Sequence, residues 1–276
     1  MTDALTTFPQ LGITFKQVLI VLALSSVRLY VMLSIFPPTS DSILQGVVRN
    51  GIVLLFGSFV AYGQPASLMT SLTGAGVVEL GIREAVIGLV LGFAASTVFW
   101  VAEAAGIYVD DLTGYNNAQM TNPMNQEHST PTGTLLSQVA SVAFWALGGM
   151  TFLLGALYES YQWWPLTSST PVAASVLESF VLRQTDTLME TIAKLAAPML
   201  FILVLVDFAF GFISKSADKL DLISLAQPVK GALTVLMLAL FIGIFVNQVR
   251  DQLTLSGLGA QLKAMSHPPR TEGHGQ

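Results

Sequence analysis

Six apolar runs dominate the chain, at about 17–36, 50–72, 82–105, 134–158, 195–214 and 230–249. A helix needs about 20 mostly apolar residues to cross the hydrocarbon core of a bilayer, so each run predicts a membrane-embedded helix. Pro37 and Pro38 end the first run, because their rings clash with a continuing helix and they lack the N–H to bond back. Pro198 and Pro228 stand at or near the starts of the fifth and sixth, where a missing N–H is tolerated. Asp207 interrupts the fifth. Between the third and fourth runs the pattern changes character. After Gly106 come Asp110, Asp111, four asparagines, two glutamines, Pro123 and Pro131, with no Lys or Arg. A connection of about two dozen residues is long against the usual 4–6, which marks it as functional or disordered.

The segment 161–194 is the other long connection. Trp163, Trp164 and Pro165 open it in a manner suited to a membrane–water interface. Val172, Val176, Phe180, Leu182 and Leu188 then fall near helical spacing, which predicts an amphipathic helix over Val172–Lys194. The remainder reads as one membrane-embedded domain over 1–265, with a disordered tail over 266–276.

Composition supports the class that the pattern suggests. Charged residues are 11% and hydrophobic residues 53%, against about 25% charged in soluble domains. The fold class is therefore an all-α integral membrane protein. With no cysteine, disulfides and thiolate metal sites are excluded. A net charge of −5 argues against nucleic-acid binding. Met1–Lys16 lacks the basic start and cleavage site of a signal peptide, so the first span is expected to stay. The distribution of Lys and Arg among alternate loops favours cytoplasmic termini.

Charges inside apolar runs need an explanation, since insertion at such depth costs about 2.5–3.5 kcal/mol or more. Arg28, within LALSSVRLYVML, is readable as half of a structural salt bridge, as a pore-lining group or as a residue shallower than the hydropathy suggests. Asp207, within LFILVLVDFAFGF, poses the same question with opposite sign, and its pairing with Arg28 or Arg49 is one hypothesis. Gly88 and Gly92 lie four residues apart with Ser96 continuing their face, a spacing that lets another helix approach closely. Enzyme constellations are missing from the sequence. It has no His-Glu-x-x-His, no Gly-x-Ser-x-Gly and no phosphate-cradling glycine loop, so neither catalysis, cofactor nor metal is expected. A stand-alone secondary transporter or ion channel using Arg28 and Asp207 remains an alternative on these residues alone.

Four blocks, taken in order, carry a family resemblance. They are VRLYVMLSIFPPTSDSILQGVVRNGIVLL, EAVIGLVLGFAASTVFWVAEAAGIYVDDLTGYNNAQMTNP, FWALGGMTFLLGALYESYQWWPL and APMLFILVLVDFAFGFISKSADKLDLISLAQPVK. Over about residues 20–250 the chain resembles the SctT/FliR family, the T subunit of the type III secretion export apparatus and its flagellar counterpart. The YQWWPL stretch is more similar to the virulence or symbiosis injectisome branch. The resemblance implies a multi-pass protein of the bacterial inner membrane, with helices broken into hairpins. Its implied partners are SctR and SctS (FliP- and FliQ-like) subunits and a SctU/FlhB-like switch protein. Together they would form a gate through which unfolded proteins are secreted. Arg28, Arg49, Gly88, Gly92 and Asp207 are the residues expected to serve assembly, with Asp207 also readable as a pore residue.

The resemblance further implies that the polar loop is a pore plug. The residues matched to it are Asp110, Asp111, Gly114, Asn116, Asn117, Met120, Pro123 and Met124. Irregular backbone at membrane depth survives only when buried in protein or lining a watery cavity. From its residues alone, the stretch is also readable as a solvent-exposed spacer between two helices.

Overall fold

A computed structural model describes residues 2–40, 43–65, 68, 74–115, 120–121, 128–168, 174–216 and 223–253. The described residues form seven helices: α1 (Thr2–Ile35), α2 (Gly46–Tyr62), α3 (Gly74–Thr113), α4 (Pro131–Ala146), α5 (Gly149–Trp163), α6 (Ala174–Ser216) and α7 (Ile223–Leu253). A two-residue antiparallel ladder, Met120–Thr121 with His128–Ser129, sits between α3 and α4. The all-helical class follows from the long apolar runs, which bury their own backbone hydrogen bonds.

The helices do not coincide with the six apolar runs. Three are long and apolar enough to cross a membrane, at Phe15–Ile35, Gly74–Thr113 and Leu177–Lys215, and the pair α4 and α5 makes a fourth if counted as one broken span. The fourth run is split by Leu147 and Gly148, where Gly148 takes φ +73°. The third run extends well beyond its apolar part, so Asp110 and Asp111 lie in the last turn of α3 and not in the loop. The expected amphipathic helix and the fifth run form a single helix, α6, and Asp207 does not break it. Pro198 and Pro228 lie inside α6 and α7. Each costs its helix one i→i−4 bond without ending it. The expected disordered tail at 266–276 lies outside the described residues.

The chain divides into two compact units. The first comprises 1–96, 153–181 and 256–276, and the second 97–152 and 182–255. Within the first unit, α1 stops where the sequence requires. Pro37–Thr39 forms a 3-10 turn, and the Thr39 hydroxyl donates to the Leu33 carbonyl at 2.7 Å, satisfying a group that the helix end leaves unpaired. The core of this unit gathers Leu24, Val60, Leu68, Leu80 and Leu166, with Tyr158 and Tyr161 packed against them.

In the second unit, Val109, Met199, Leu203 and Met237 form a core from α3, α6 and α7. Phe99 and Phe144 meet edge to face at 6.0 Å. Thr130 caps α4, its side chain accepting from the Gly133 N–H at 3.3 Å, with Pro131 in the first turn.

Candidate functional site

Two polar constructions stand out, one in each unit. The first centres on Arg28 of α1, which is wholly buried together with Glu84 of α3. Arg28 Nε donates to Glu84 Oε2 at 2.8 Å and Nη2 to Glu84 Oε1 at 3.0 Å, the planar fork matching the carboxylate. Nη1 donates to Ser160 Oγ at 2.7 Å and Nη2 to the Trp164 carbonyl at 2.9 Å. The Tyr161 ring lies 3.8 Å from the guanidinium carbon, and its hydroxyl donates to the Ser25 carbonyl at 2.9 Å. Arg83 adds a second cation to Glu84 at 3.1 Å and donates to the Pro165 and Ser168 carbonyls.

A charge this deep is tolerable because it is paired and its donors are satisfied. The geometry also explains the small-residue face. A Cβ at Gly88 would fall 2.5 Å from the Arg28 carbonyl oxygen, and one at Gly92 would fall 3.0 Å from that of Met32. Ser96 Oγ lies 3.4 Å from the Ile35 carbonyl. The face therefore brings α3 against α1 of the same chain, and that approach is what lets Glu84 reach Arg28.

The second construction is the neck of the polar loop. Asp110 is buried at the end of α3, and its carboxylate accepts from the Thr132 N–H at 2.7 Å and the Thr132 hydroxyl at 2.5 Å. This ties the helix entering the loop to the helix leaving it. Gly106 permits the crossing, since a Cβ there would lie 2.5 Å from Gly133 N and Cα. At Gly114 the chain turns with φ +82°, a left-handed conformation suited to a helix C-terminus and open to glycine at little strain. Against this turn lies α7. Lys230 Nζ donates to the Leu112 carbonyl at 2.6 Å and pairs with Asp207 Oδ1 of α6 at 2.7 Å.

Several residues fall differently from expectation. Asp207 pairs with Lys230, and Arg28 pairs with Glu84. Arg49 is half-buried in the first turn of α2. Asp111 is exposed on the last turn of α3. Met120 lies in the short ladder, whereas Asn116, Asn117, Pro123 and Met124 lie outside the described residues. Sequence reasoning missed Glu84, Ser160, Tyr161, Lys230 and Thr132. Glu84 was detectable, because Glu84, Gly88, Gly92 and Ser96 repeat every four residues and share one helix face.

Comparison with known proteins places these features in a family. Residues 19–255 match the family described as bacterial export proteins, family 1. Yop proteins translocation protein T of Yersinia pestis is 34% identical over 211 residues, covering 75% of this chain and 80% of that protein. The secretion system apparatus protein SsaT of Salmonella typhimurium is 30% identical over 224 residues, covering 80% and 86%. Flagellar biosynthetic protein FliR of Bacillus subtilis is 24% identical over 178 residues, covering 64% and 69%. The lower identity to the flagellar protein agrees with the injectisome character of YQWWPL. With the apolar helices and the match across most of its length, the chain belongs to the bacterial export proteins, family 1, the SctT/FliR family.

Proposed function

We propose that this chain is a non-catalytic subunit of a type III secretion export gate in the bacterial inner membrane. With SctR- and SctS-type subunits, and next to a SctU/FlhB-like switch protein, it forms the pore through which unfolded proteins are secreted. The stretch following Gly114 acts as the plug. The observation that carries this reading is the closed neck. Asp110 holds Thr132 across a loop whose polar, proline-containing residues have no place against lipid. The relatives named for Yop translocation and for a secretion apparatus support the assignment to protein secretion.

A transporter built on Arg28 and Asp207 is disfavoured by their partners. Arg28 makes four hydrogen bonds in a sealed site, and Asp207 already holds an ammonium. Replacing residues 116–127 by a short Gly-Ser link tests the plug and spares the neck. Cells carrying the assembled complex should then leak small solutes. Unchanged leak in a complex that still assembles would refute the plug.

A further inference from the structure

The mechanical question is what holds the neck of the loop in place, and Lys230 answers it. Its ammonium lies at the C-terminal end of α3, where the last carbonyls have no partner within the helix and carry the negative end of the helix dipole. Leu112 is one of these carbonyls, and Nζ donates to it at 2.6 Å. The same ammonium is 2.7 Å from Asp207 on α6. Lys230 is only 8% exposed, so water competes weakly for its protons. Two neighbours on α7 extend the seat. A Cβ on Gly114 would meet the Gln227 side-chain nitrogen at 2.5 Å, and one on Gly231 would meet the Tyr115 hydroxyl. The first residues of the loop are thus pressed along one turn of α7.

We infer that Asp207 and Lys230 form a latch that seats the loop neck on α7, with Lys230 as a positioning residue for the loop. Asp110 and Lys230 have separable roles. Asp110 closes the neck, fixing the shape of the loop's base, whereas Lys230 fixes where that base sits. Asp207 acts by steering the ammonium. A displacement of α7 against α6 separates the pair and carries the neck away as a closed unit. The inference deepens the plug reading and rests on it for its consequence in secretion, but the latch itself is testable without reference to leak.

The chain has no cysteine, so spin labels at Gln126→Cys and Leu236→Cys report loop position without background. Distances are read by double electron–electron resonance on the full chain within the assembled complex in lipid bilayers. With Lys230 and Asp207 intact, one dominant distance is expected. Lys230→Met should shift the seated-to-displaced ratio by roughly tenfold or more, the worth of one hydrogen bond to a charged group. Lys230→Arg keeps the donors and should retain the seated population. Asp207→Asn, which keeps the ammonium, should shift the ratio in the same direction by less, and it serves if Lys230→Met fails to fold.

The reversed pair, Asp207→Lys with Lys230→Asp, is decisive. It restores the ion pair but cannot donate to the Leu112 carbonyl, so the loop should remain displaced. Full restoration by the reversed pair would overturn the latch, since the pair would then only join α6 to α7. An unchanged distance in both Lys230→Met and Asp207→Asn would also overturn it, whatever the leak. Displacement without solute leak would uphold the latch and overturn the plug.

Discussion

Replacing Gly88 with alanine probes the contact on which the Arg28 site depends. The added Cβ would sit 2.5 Å from the Arg28 carbonyl oxygen and 3.1 Å from its carbonyl carbon and Cα. These are backbone atoms of α1, so no rotamer change relieves the clash. Ordinary contact begins at 3.4 Å, and α1 must therefore retreat by 3.4 − 2.5 Å, about 0.9 Å. Glu84 lies one turn before Gly88 on the same helix, so that retreat stretches the 2.8 and 3.0 Å bonds to Arg28 past hydrogen-bond length. Overpacking of this kind costs about 1–3 kcal/mol. Weakening a charge-assisted bond adds about 1.5–3 kcal/mol. Alanine returns about 1 kcal/mol of helix propensity. The net expectation is a loss of about 1.5–5 kcal/mol.

Gly92 provides an internal scale, because its Cβ would lie 3.0 Å from the Met32 carbonyl oxygen and needs only a few tenths of an ångström. There the propensity gain offsets most of the strain, and Gly92→Ala should fall within about 1 kcal/mol of the parent. Gly155, inside α5, has nothing within 4 Å of its Cβ position, so Gly155→Ala should be neutral or stabilising. Equilibrium unfolding of the isolated chain in mixed detergent micelles, followed by tryptophan emission, ranks the three. Equal stability of Gly88→Ala and Gly155→Ala would refute the close approach of α1 and α3.

The buried ion pair makes a second prediction. Arg28→Met alone and Glu84→Met alone should each cost about 3–5 kcal/mol in the same unfolding assay, while the double substitution should cost less than either, because no charge is then stranded; a strictly additive double mutant would contradict the pairing. Asp110→Ala removes the acceptor of two buried donors and should destabilise by about 3 kcal/mol, and hydrogen exchange at the Thr132 amide should quicken sharply; unchanged exchange there would count against the closed neck. Gly106→Ala sets a Cβ against the backbone of Gly133 and should cost about 1–3 kcal/mol. Chemical cross-linking between cysteines introduced at Ile107 and Thr134 should fall in that variant, and retained cross-linking would contradict the tight crossing.

The fold was legible where the cause is local. The double proline ends α1 as expected, because the missing N–H groups act within one turn. The spacing of Gly88, Gly92 and Ser96 suits a close helix approach, and in the fold that face lies against α1 of the same chain. Legibility failed where a polar group is satisfied at a distance. Asp110 and Asp111 looked like loop residues because hydropathy marks a helix end at the first charges. In the fold, Asp110 finds Thr132 twenty-two positions on, and α3 continues to Thr113. Pro198 looked like a helix start for a similar reason, and α6 runs through it.

The ion pairs were the least legible feature. Arg28 was visibly in need of an acid, yet Glu84 sits near the edge of an apolar run, where an acid is unremarkable. Lys230 is equally inconspicuous at the start of a run, beside Pro228. Pair choice is set by which helices pack together, and that information lies in no single segment. Asp207 and Arg28 are opposite in sign and each stands within an apolar run of the sequence. That resemblance in pattern suggested a pairing, whereas Arg28 pairs with Glu84 and Asp207 with Lys230.

The central claim is that this family member works as one part of a heteromeric gate, and its stoichiometry tests that most directly. The chain would be co-expressed with SctR- and SctS-type subunits, purified in mild detergent and weighed by native mass spectrometry. The account expects one copy of this chain in a defined hetero-oligomer. A stable monomer or homo-oligomer that excludes those partners would contradict it.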